Sequence, residues 1–473
     1  MAPARRGMED HVGRIICVSN RVGPLADSAK AGGLAVGLVD ALKENGGVWF
    51  GWSGDVTEQG TFGPLKLEEH GKVSLATIDI SPVDYAEFYA GYTNRTLWPL
   101  FHYRLDIADY DRRFEEAYRR VNQRFAVRLK PLIQPNDIIW VHDYHFLLLG
   151  CELRELGIEN PIGFFLHIPF PPPEILSALP RAQNLVRALF SFDLVGFQTD
   201  SDCRSFVRFA TDELNGRDLG EGRVSVNNMA TTAGAFPIGI NGEAFADMAQ
   251  SDEAVQQETR LKRILLDRSQ IIGVDRLDYT KGLVQRFLAF ERLLEDYPSN
   301  RGRVSLMQIA PPSRAELDAY ADLRRQLEGE IGRINGRFAD TDWTPIRFLA
   351  RPFQRKALAG LLRASRVGLV TPLRDGMNLV AKEYIAAQNP ANPGVLVLSR
   401  FAGAAEEMRE ALVVNPYDVE GVAEALQRAL HMPLDERKAR WNALNRRICE
   451  NGAATWRAKY LDALDLAARA RAA

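Results

Sequence analysis

The chain has 473 residues, which is too long for one hydrophobic core and suits two domains. Its hydrophobic share of 46% and charged share of 25% are those of an ordinary soluble globular protein. The formal net charge of -2 gives no overall attraction to nucleic acid or anionic lipid, so we expect neither as a partner. Any anion must be bound at a local site.

Two series of strand-like segments, each followed by helix-like sequence, divide the chain. The first lies at residues 14–18, 137–141, 162–166 and 194–197, and the second at 271–274, 304–309, 346–349, 367–371 and 395–399. Such alternation predicts mostly parallel sheets covered on both faces. The predicted fold class is α/β, with two Rossmann-like, doubly wound parallel-sheet domains facing a central cleft.

The domain boundaries follow from this division. We place an N-terminal domain at residues 1–238, a C-terminal domain at 239–454, and at 455–473 a helix expected to pack back on the N-terminal domain. The turn-like segment 236–240 is a candidate hinge, with Gly239 free to take up backbone rotation. The polar stretch 215–228 is predicted to be a surface loop.

The cysteines and the N-terminus predict the compartment. The four cysteines are scattered, with no spacing that could build a zinc site or a disulfide framework: Cys17, Cys151, Cys203 and Cys449. The apolar run at residues 15–18 is far shorter than the core of a signal peptide, and nowhere do about 18 apolar residues run together. We therefore expect reduced thiols in a soluble, cytoplasmic protein.

A strand end at residues 271–274 is followed by two cations, Arg276 and Lys281, at the start of a helix. Ligands of doubly wound sheets bind outside the carboxyl ends of the strands. Fixed cations in such a place can stabilise the charge of a departing diphosphate by roughly 3 to 4 kcal/mol each. The alternatives are a solvated helix start and a structural ion pair with Asp278.

A second segment of this kind, 374–378, precedes a helix predicted over residues 379–388. Gly376 permits close backbone approach, and the helix start offers free N–H groups to an anion. Asp375 either caps the helix or accepts hydrogen bonds from sugar hydroxyls. Glu383 either binds a ribose diol or is an i, i+4 surface partner. Together the two segments suggest a diphosphate held between two loops.

Two histidine-containing segments end strands in the N-terminal half. An HxxH sequence lies at residues 142–145, but no third ligand is in evidence, so we predict no metal there. His167 ends the next strand, and its neutral ring either donates to a sugar hydroxyl or is satisfied in the core. The Asp-x-Asp sequence at 200–202 imitates a metal motif, but we interpret it as a helix start capped by Thr199 or Asp200.

Other residues have the chemistry of a sugar-phosphate site. Arg21 directly follows the first strand, and Gly32-Gly33 would let the backbone approach a bulky ligand. The GxGxxG spacing of a dinucleotide site is missing, so a nicotinamide dehydrogenase is not expected. Tyr89 and Trp98 could stack on a sugar ring, and Arg314 could bind a phosphate with two hydrogen bonds. Taken alone, each of these residues is better explained as part of the core or the surface.

Taken together, these motifs closely resemble those of the trehalose-6-phosphate synthases, which are retaining glycosyltransferases of family 20 with the two-domain GT-B fold. The resemblance runs from residue 14 to about residue 430. It includes specific stretches at residues 34–37, 49–54, 142–145, 163–171, 276–282 and 370–387.

The resemblance implies that glucose is transferred with retention from a nucleoside diphosphate glucose, usually UDP-glucose, to glucose 6-phosphate. The products are α,α-trehalose 6-phosphate and UDP. It places the acceptor in the N-terminal domain and the donor in the C-terminal domain, and it requires no metal or other cofactor. The partners expected are these two substrates and further copies of the chain, in a dimer or a tetramer.

The resemblance also implies residue roles, position by position. The implied acceptor site consists of Arg21, Trp52, Tyr89, Trp98, Asp143 and Arg314. The implied donor site consists of Gly33, Arg276, Lys281, Asp375, Gly376, Met377, Asn378, Leu379, Val380 and Glu383. Catalytic roles are implied for Arg276, Lys281, His167 and Asp143.

Two other functions are kept as alternatives. One is a related synthase with another acceptor, such as glucosylglycerol-phosphate synthase, or a pseudo-glycosyltransferase. The other is a non-catalytic sensor of sugar phosphates. Arg314 and the tryptophans favour a phosphorylated hexose, and a sensor has no need of leaving-group cations. The sequence does not determine whether the base of the donor is uracil, guanine or adenine.

Overall fold

The structure is a computed structural model that describes residues 13–23, 42, 46–58, 61–314 and 317–472. Within these residues, sixteen strands form two sheets. Strands β1 to β10 are Ile15–Arg21, Gly47–Val56, Lys66–His70, Val73–Ile80, Ile138–His142, Ile162–Phe165, Leu194–Phe197, Arg217–Gly220, Arg223–Val226 and Met229–Ala235. Strands β11 to β16 are Ser269–Val274, Val304–Ile309, Ile346–Leu349, Val367–Val370, Val395–Ser399 and Leu412–Val414.

The first sheet has ten strands in the order β3-β4-β2-β1-β5-β6-β7-β10-β9-β8, and the second has six in the order β13-β12-β11-β14-β15-β16. All neighbours in the second sheet are parallel, whereas β3, β8 and β9 pair antiparallel at the edges of the first. The strand order and the parallel pairing confirm the predicted α/β class with two doubly wound sheets.

Helices cover the two sheets, which explains why the central strands are continuous apolar runs rather than alternating ones. The helices of seven or more described residues are Tyr85–Leu97, which is a π-helix, and Arg112–Leu129, Leu149–Glu155, Ala182–Ala188, Asp200–Leu214, Gly242–Met248, Asp252–Leu265, Leu283–Asp296, Asp318–Phe338, Arg355–Ala364, Leu379–Ala387, Val419–His431, Leu434–Glu450 and Ala453–Ala472. In the part of the chain that the structure describes, none of the helices has the combination of length and apolar character that crossing a membrane requires.

The prediction of a loop at residues 215–228 was wrong. This stretch forms the antiparallel pair β8 and β9 at the edge of the first sheet. Val224 and Val226 are buried beside the helix Asp200–Leu214, while every residue of β8 is exposed. An edge strand with one buried face carries too few apolar residues to stand out from a polar loop.

The chain leaves the first sheet after β10 and returns to it with the helix Ala453–Ala472. The two connecting segments touch, because a Cβ on Gly239 would lie 1.9 Å from the carbonyl oxygen of Asn451. The glycine at this position is therefore required for close packing of two backbones. Whether residues 236–240 act as a hinge stays a prediction.

Tyr460 fixes the returning helix to the first sheet. It is fully buried, its hydroxyl donates to the carbonyl of Phe164 at 2.9 Å, and its ring stacks on Trp140 at 4.9 Å between centroids. A Cβ on Gly163 or Gly196 would come within 2.5 or 2.6 Å of Tyr460, so the two glycines of β6 and β7 form the recess that holds the ring.

This packing predicts the effects of two substitutions at Tyr460. Tyr460→Ala should lower the free energy of unfolding by about 3 to 5 kcal/mol, since it leaves a cavity between the helix and the sheet. Tyr460→Phe should cost about 1 kcal/mol, since it removes only the hydrogen bond. Denaturant unfolding measures both, with Tyr417→Ala as the control because Tyr417 is 59% exposed. Equal stability of Tyr460→Ala and the wild type would contradict the proposed anchoring.

Candidate active site at the carboxyl ends of the strands

An open cavity of about 430 Å³ lies where residues from the carboxyl ends of both sheets meet. Its lining residues are Arg21, Trp52, Gly54, Tyr85, Tyr89, Arg276, Ser313 and Arg314. Three guanidinium groups and three aromatic rings therefore face one space. A site with this composition can hold an anion at one end and a sugar ring against the wall.

The aromatic wall is built by β2 and the π-helix Tyr85–Leu97. The Trp52 ring lies 5.1 Å from the ring of Tyr89 and 5.9 Å from that of Tyr85. The guanidinium of Arg21 lies over Trp52 at 5.0 Å, and its polar contact with the carbonyl of Gly54 is long, at 3.4 Å. Arg21 is therefore placed by stacking, and within the described part of the chain no shorter hydrogen bond holds its N–H groups, which can bind a ligand.

Arg314 is held more firmly, by groups from both halves of the chain. It donates to the hydroxyl of Tyr320 at 2.8 Å and to that of Tyr144 at 3.0 Å. Its guanidinium lies 4.0 Å from the ring centre of Trp98 and 3.7 Å from the carboxylate of Asp278. These contacts fix the orientation of the guanidinium before any ligand arrives.

Asp278 is the fully buried carboxylate behind these cations. It accepts hydrogen bonds from the backbone N–H and the hydroxyl of Thr280, at 3.0 and 2.9 Å. Burial raises the pKa of Asp278, but the charges of Arg314 and Arg276 outweigh it and bring the pKa down to about 2. The alternative of a structural ion pair between Asp278 and Arg276 or Lys281 is therefore wrong: among the described residues the ion-pair partner of Asp278 is Arg314, and Lys281 pairs with Asp375.

Lys281 and Asp375 form the contact between the two predicted loops. The ammonium of Lys281 lies 2.6 Å from Asp375, which also accepts from the side chain of Asn378 at 3.0 Å. Burial raises the pKa of Asp375, but Lys281 more than offsets this and holds the pKa below its ordinary value. Lys281 is only 9% exposed, so the alternative of a solvated helix start is wrong for it.

The loop before the helix Leu379–Ala387 also meets the first sheet. A Cβ on Gly376 would lie 2.0 Å from the carbonyl oxygen of His167, so the close approach that glycine permits here is to the protein's own backbone. The cap of this helix is Asn378, whose side chain accepts from the N–H of Ala381 at 3.3 Å. Asp375 is therefore not the cap.

The remaining predicted donor residues follow in the same helix or just before it. Met377 is buried, and Leu379 and Val380 lie in the first turn. Glu383 is only 9% exposed and accepts from Arg355 at 3.2 Å, so it is not a surface partner. Burial raises the pKa of Glu383, an effect that Arg355 opposes.

Asp143 and His167 lie at the ends of β5 and β6. Asp143 has a positive φ of 74°, and the backbone N–H of His167 donates to its carboxylate at 3.3 Å. Burial raises the pKa of Asp143 to about 6 and lowers the pKa of His167 to about 3, so the imidazole is neutral. The ring of His167 meets His142 at 3.1 Å and Gln198 at 3.4 Å.

Neither of the two possible metal motifs is arranged as a metal site. Among the described residues, no group of three or more His, Cys, Asp and Glu side chains is placed to hold a metal ion. The ring of His145 packs on that of Tyr144 at 4.1 Å. Thr199 caps the helix Asp200–Leu214 by accepting from the N–H of Asp202, which confirms the capping interpretation.

Comparison with known proteins identifies the family. The profile of Glycosyltransferase family 20 matches residues 21–466. The chain belongs to glycosyltransferase family 20. This confirms the family predicted from the motifs.

Several relatives of this family 20 protein are similar over nearly their whole length. The trehalose-6-phosphate synthase of Sinorhizobium fredii is 48% identical over 455 residues, which cover 95% of this chain and 98% of that protein. A UDP-forming alpha,alpha-trehalose-phosphate synthase from Burkholderia xenovorans, solved in complex with glucose-6-phosphate, is 52% identical with a TM-score of 0.92, covering 96% and 100% of the two chains. An E. coli structure bound with UDP-2-fluoro glucose is 47% identical with a TM-score of 0.92, covering 96% and 99%.

The structure of this family 20 protein brings most of the predicted site residues to one region. Gly33 lies outside the described residues, as does the stretch 34–37. Sequence reasoning missed Tyr85 and Gly54 in the cavity wall. Tyr85 precedes Tyr89 by four residues, a spacing that puts both on one face of a helix, and this signal was available.

The contacts of Arg314 predict a structural role besides any role in binding. Arg314→Met should lower the free energy of unfolding by about 1 to 3 kcal/mol, because buried Asp278 keeps its charge while losing its guanidinium partner. Adding Asp278→Asn should recover part of the loss. Arg325→Met is the control in denaturant unfolding, since the side chain of Arg325 is 78% exposed. No loss of stability in Arg314→Met would refute this role.

Proposed function

We propose that this protein transfers glucose from UDP-glucose to glucose 6-phosphate with retention of the anomeric configuration, forming α,α-trehalose 6-phosphate and UDP. The observation that carries the proposal is the cavity between the sheets, which Arg21, Arg276 and Arg314 line together with the ring of Trp52. The relatives solved with glucose-6-phosphate and with UDP-2-fluoro glucose support the same pair of substrates.

The acceptor binds in the cavity. Its phosphate is held by Arg21 and Arg314, which can each give two hydrogen bonds to phosphate oxygens. Its hexose ring lies against Trp52, Tyr89 and Trp98. Because Arg314 is fixed by Tyr144, Tyr320 and the Trp98 ring, the phosphate meets a group that loses little side-chain freedom on binding. Asp143, directly after β5, accepts a hydrogen bond from a sugar hydroxyl.

The donor binds between the loops that follow β11 and β14. Arg276 and Lys281 stabilise the diphosphate, and Glu383 accepts hydrogen bonds from the ribose. Lys281 is engaged with Asp375, at 2.6 Å. A diphosphate shares or replaces this contact, and Asp375 is then free to accept from a hydroxyl of the donor sugar.

The chemistry is a front-face substitution. The anomeric hydroxyl of the acceptor attacks C1 of the donor glucose from the side on which the bond to the diphosphate breaks, and an oxygen of the leaving phosphate takes the hydroxyl proton. In this proposal no carboxylate has the role of a nucleophile: Asp278 is fully buried and engaged with Thr280, and Asp143 and Asp375 accept from sugar hydroxyls. Catalysis then rests on positioning and on stabilising the leaving diphosphate.

A cytoplasmic location is part of this proposal. All four cysteines lie in the described residues and are free thiols, which is typical of a reducing compartment. The expected homo-oligomer stays a prediction.

An assay with defined substrates tests the function. The protein should release UDP from UDP-glucose when glucose 6-phosphate is present, and trehalose 6-phosphate should form in equal amount. Release only with glycerol 3-phosphate would replace the proposal by a related synthase, and tight binding of glucose 6-phosphate without product would favour a sensor. GDP-glucose and ADP-glucose, tested in parallel, show which nucleotide base of the donor the protein prefers.

The role of Lys281 predicts the effect of its removal. Lys281→Ala should lower kcat by 100-fold or more, as expected when a transition-state donor of about 3 kcal/mol is lost. The fold should persist, which circular dichroism can check. Lys262→Ala is the control, because Lys262 lies on a helix surface with its side chain 64% exposed. Normal turnover of Lys281→Ala would disprove the leaving-group role.

A further inference from the structure

Gln198 connects the site histidine to the segment between the two sheets. It directly follows β7 and is only 2% exposed. Its amide nitrogen lies 3.4 Å from Nδ1 of His167, and its amide oxygen accepts from the backbone N–H of Ile238 at 3.0 Å. None of the roles assigned above uses this residue.

The backbone N–H of Ile238 determines which way the amide of Gln198 points. A backbone N–H can only donate, so the amide oxygen must face Ile238 and the amide NH₂ must face His167. An NH₂ group can only donate as well. Nδ1 of His167 must therefore be the acceptor, and in the neutral ring the proton lies on Nε2.

We propose that Gln198 is a positioning residue that holds His167 in the Nε2–H tautomer and in a fixed orientation relative to the linker at Ile238. The proposal rests on the function proposed above and on the role that the sequence suggested for His167, donation to a sugar hydroxyl. That donation requires a proton on Nε2. Nε2 of His167 lies 3.1 Å from Nδ1 of His142, and a sugar hydroxyl would take the place of this partner.

Ile238, in the segment that connects the two sheets, is also held by a residue of the C-terminal half. The carbonyl of Ile238 accepts from the ammonium of Lys382 at 2.7 Å, and Lys382 is paired with Glu407. Lys382 lies in the helix Leu379–Ala387, which presents the donor loop and Glu383. The backbone of Ile238 therefore links the amide that orients His167 to the helix that binds the donor.

Nitrogen NMR of the protein labelled with ¹⁵N-histidine tests the tautomer directly, without any need for activity. The chain has 7 histidines, and the signals of His167 are those that disappear in His167→Asn. Wild-type His167 should show a protonated Nε2 and an unprotonated Nδ1. In Gln198→Glu the carboxylate can only accept, so a proton should move to Nδ1; in Gln198→Met both tautomers should be populated. A protonated Nδ1 in the wild type, or an unchanged tautomer in Gln198→Glu, would overturn the proposal.

Kinetics test whether the tautomer matters for transfer. Gln198→Glu and Gln198→Met should lower kcat by up to about 100-fold, as expected for a misplaced catalytic group, with KM for glucose 6-phosphate unchanged. Gln270→Met is the matched control, because Gln270 is equally buried and, among the described residues, its side chain donates only to backbone carbonyls of β11 and β12. Unchanged kcat in both Gln198 variants would refute the positioning role. The wild type could make no trehalose 6-phosphate while the tautomer of His167 still differs between the wild type and the Gln198 variants as described. In that case the proposed function fails, but the control of His167 by Gln198 stands.

Discussion

The contact between Lys281 and Asp375 brings the two loops of the second sheet together. Strands β11 and β14 are neighbours, so the segments that follow them leave the sheet side by side. Both side chains are largely shielded from water, where an unpaired ammonium or carboxylate would be strongly unfavourable. Each group therefore needs the other, unless a bound ligand supplies an anion to Lys281 and a hydrogen-bond donor to Asp375. The ammonium of Lys281, which would bind the diphosphate, thus also helps to hold the two loops together.

The loop that carries Arg276 and Lys281 is supported by a buried polar network centred on Arg286. This side chain is inaccessible to solvent and contacts Asp275 at 2.5 Å, Gln308 at 2.7 Å and Thr371 at 3.0 Å. It also reaches the carbonyl of Lys281 at 3.4 Å. One guanidinium thus joins the ends of β11, β12 and β14. Such a network is favourable only when its groups are paired, which restricts the backbone to one arrangement.

Much of the fold and part of the site were predictable from the sequence, because the signals are local. A buried parallel strand is an apolar run, and β7, β12, β13 and β15 have the predicted bounds. The predictions failed where distant residues decide. The β8 and β9 pair depends on which face of an edge strand is covered, and the partner of Glu383 is Arg355, which lies on another helix. Gln198 carries no sequence signal at all, since its importance comes from Ile238, forty residues away.

The contact between Gly239 and Asn451 has a mechanical consequence. The chain crosses between the sheets twice, and the two crossings touch at this point. If residues 236–240 act as the predicted hinge, two covalent connections that lie side by side would resist separation of the sheets but permit rotation about the point where they touch. The displacement of one sheet relative to the other would then grow with distance from this point. A small angular change near Gly239 would give a large movement at the outer rim of the cleft. Replacing Gly239 by a larger residue would force the backbones of Gly239 and Asn451 apart and so shift the point of this rotation.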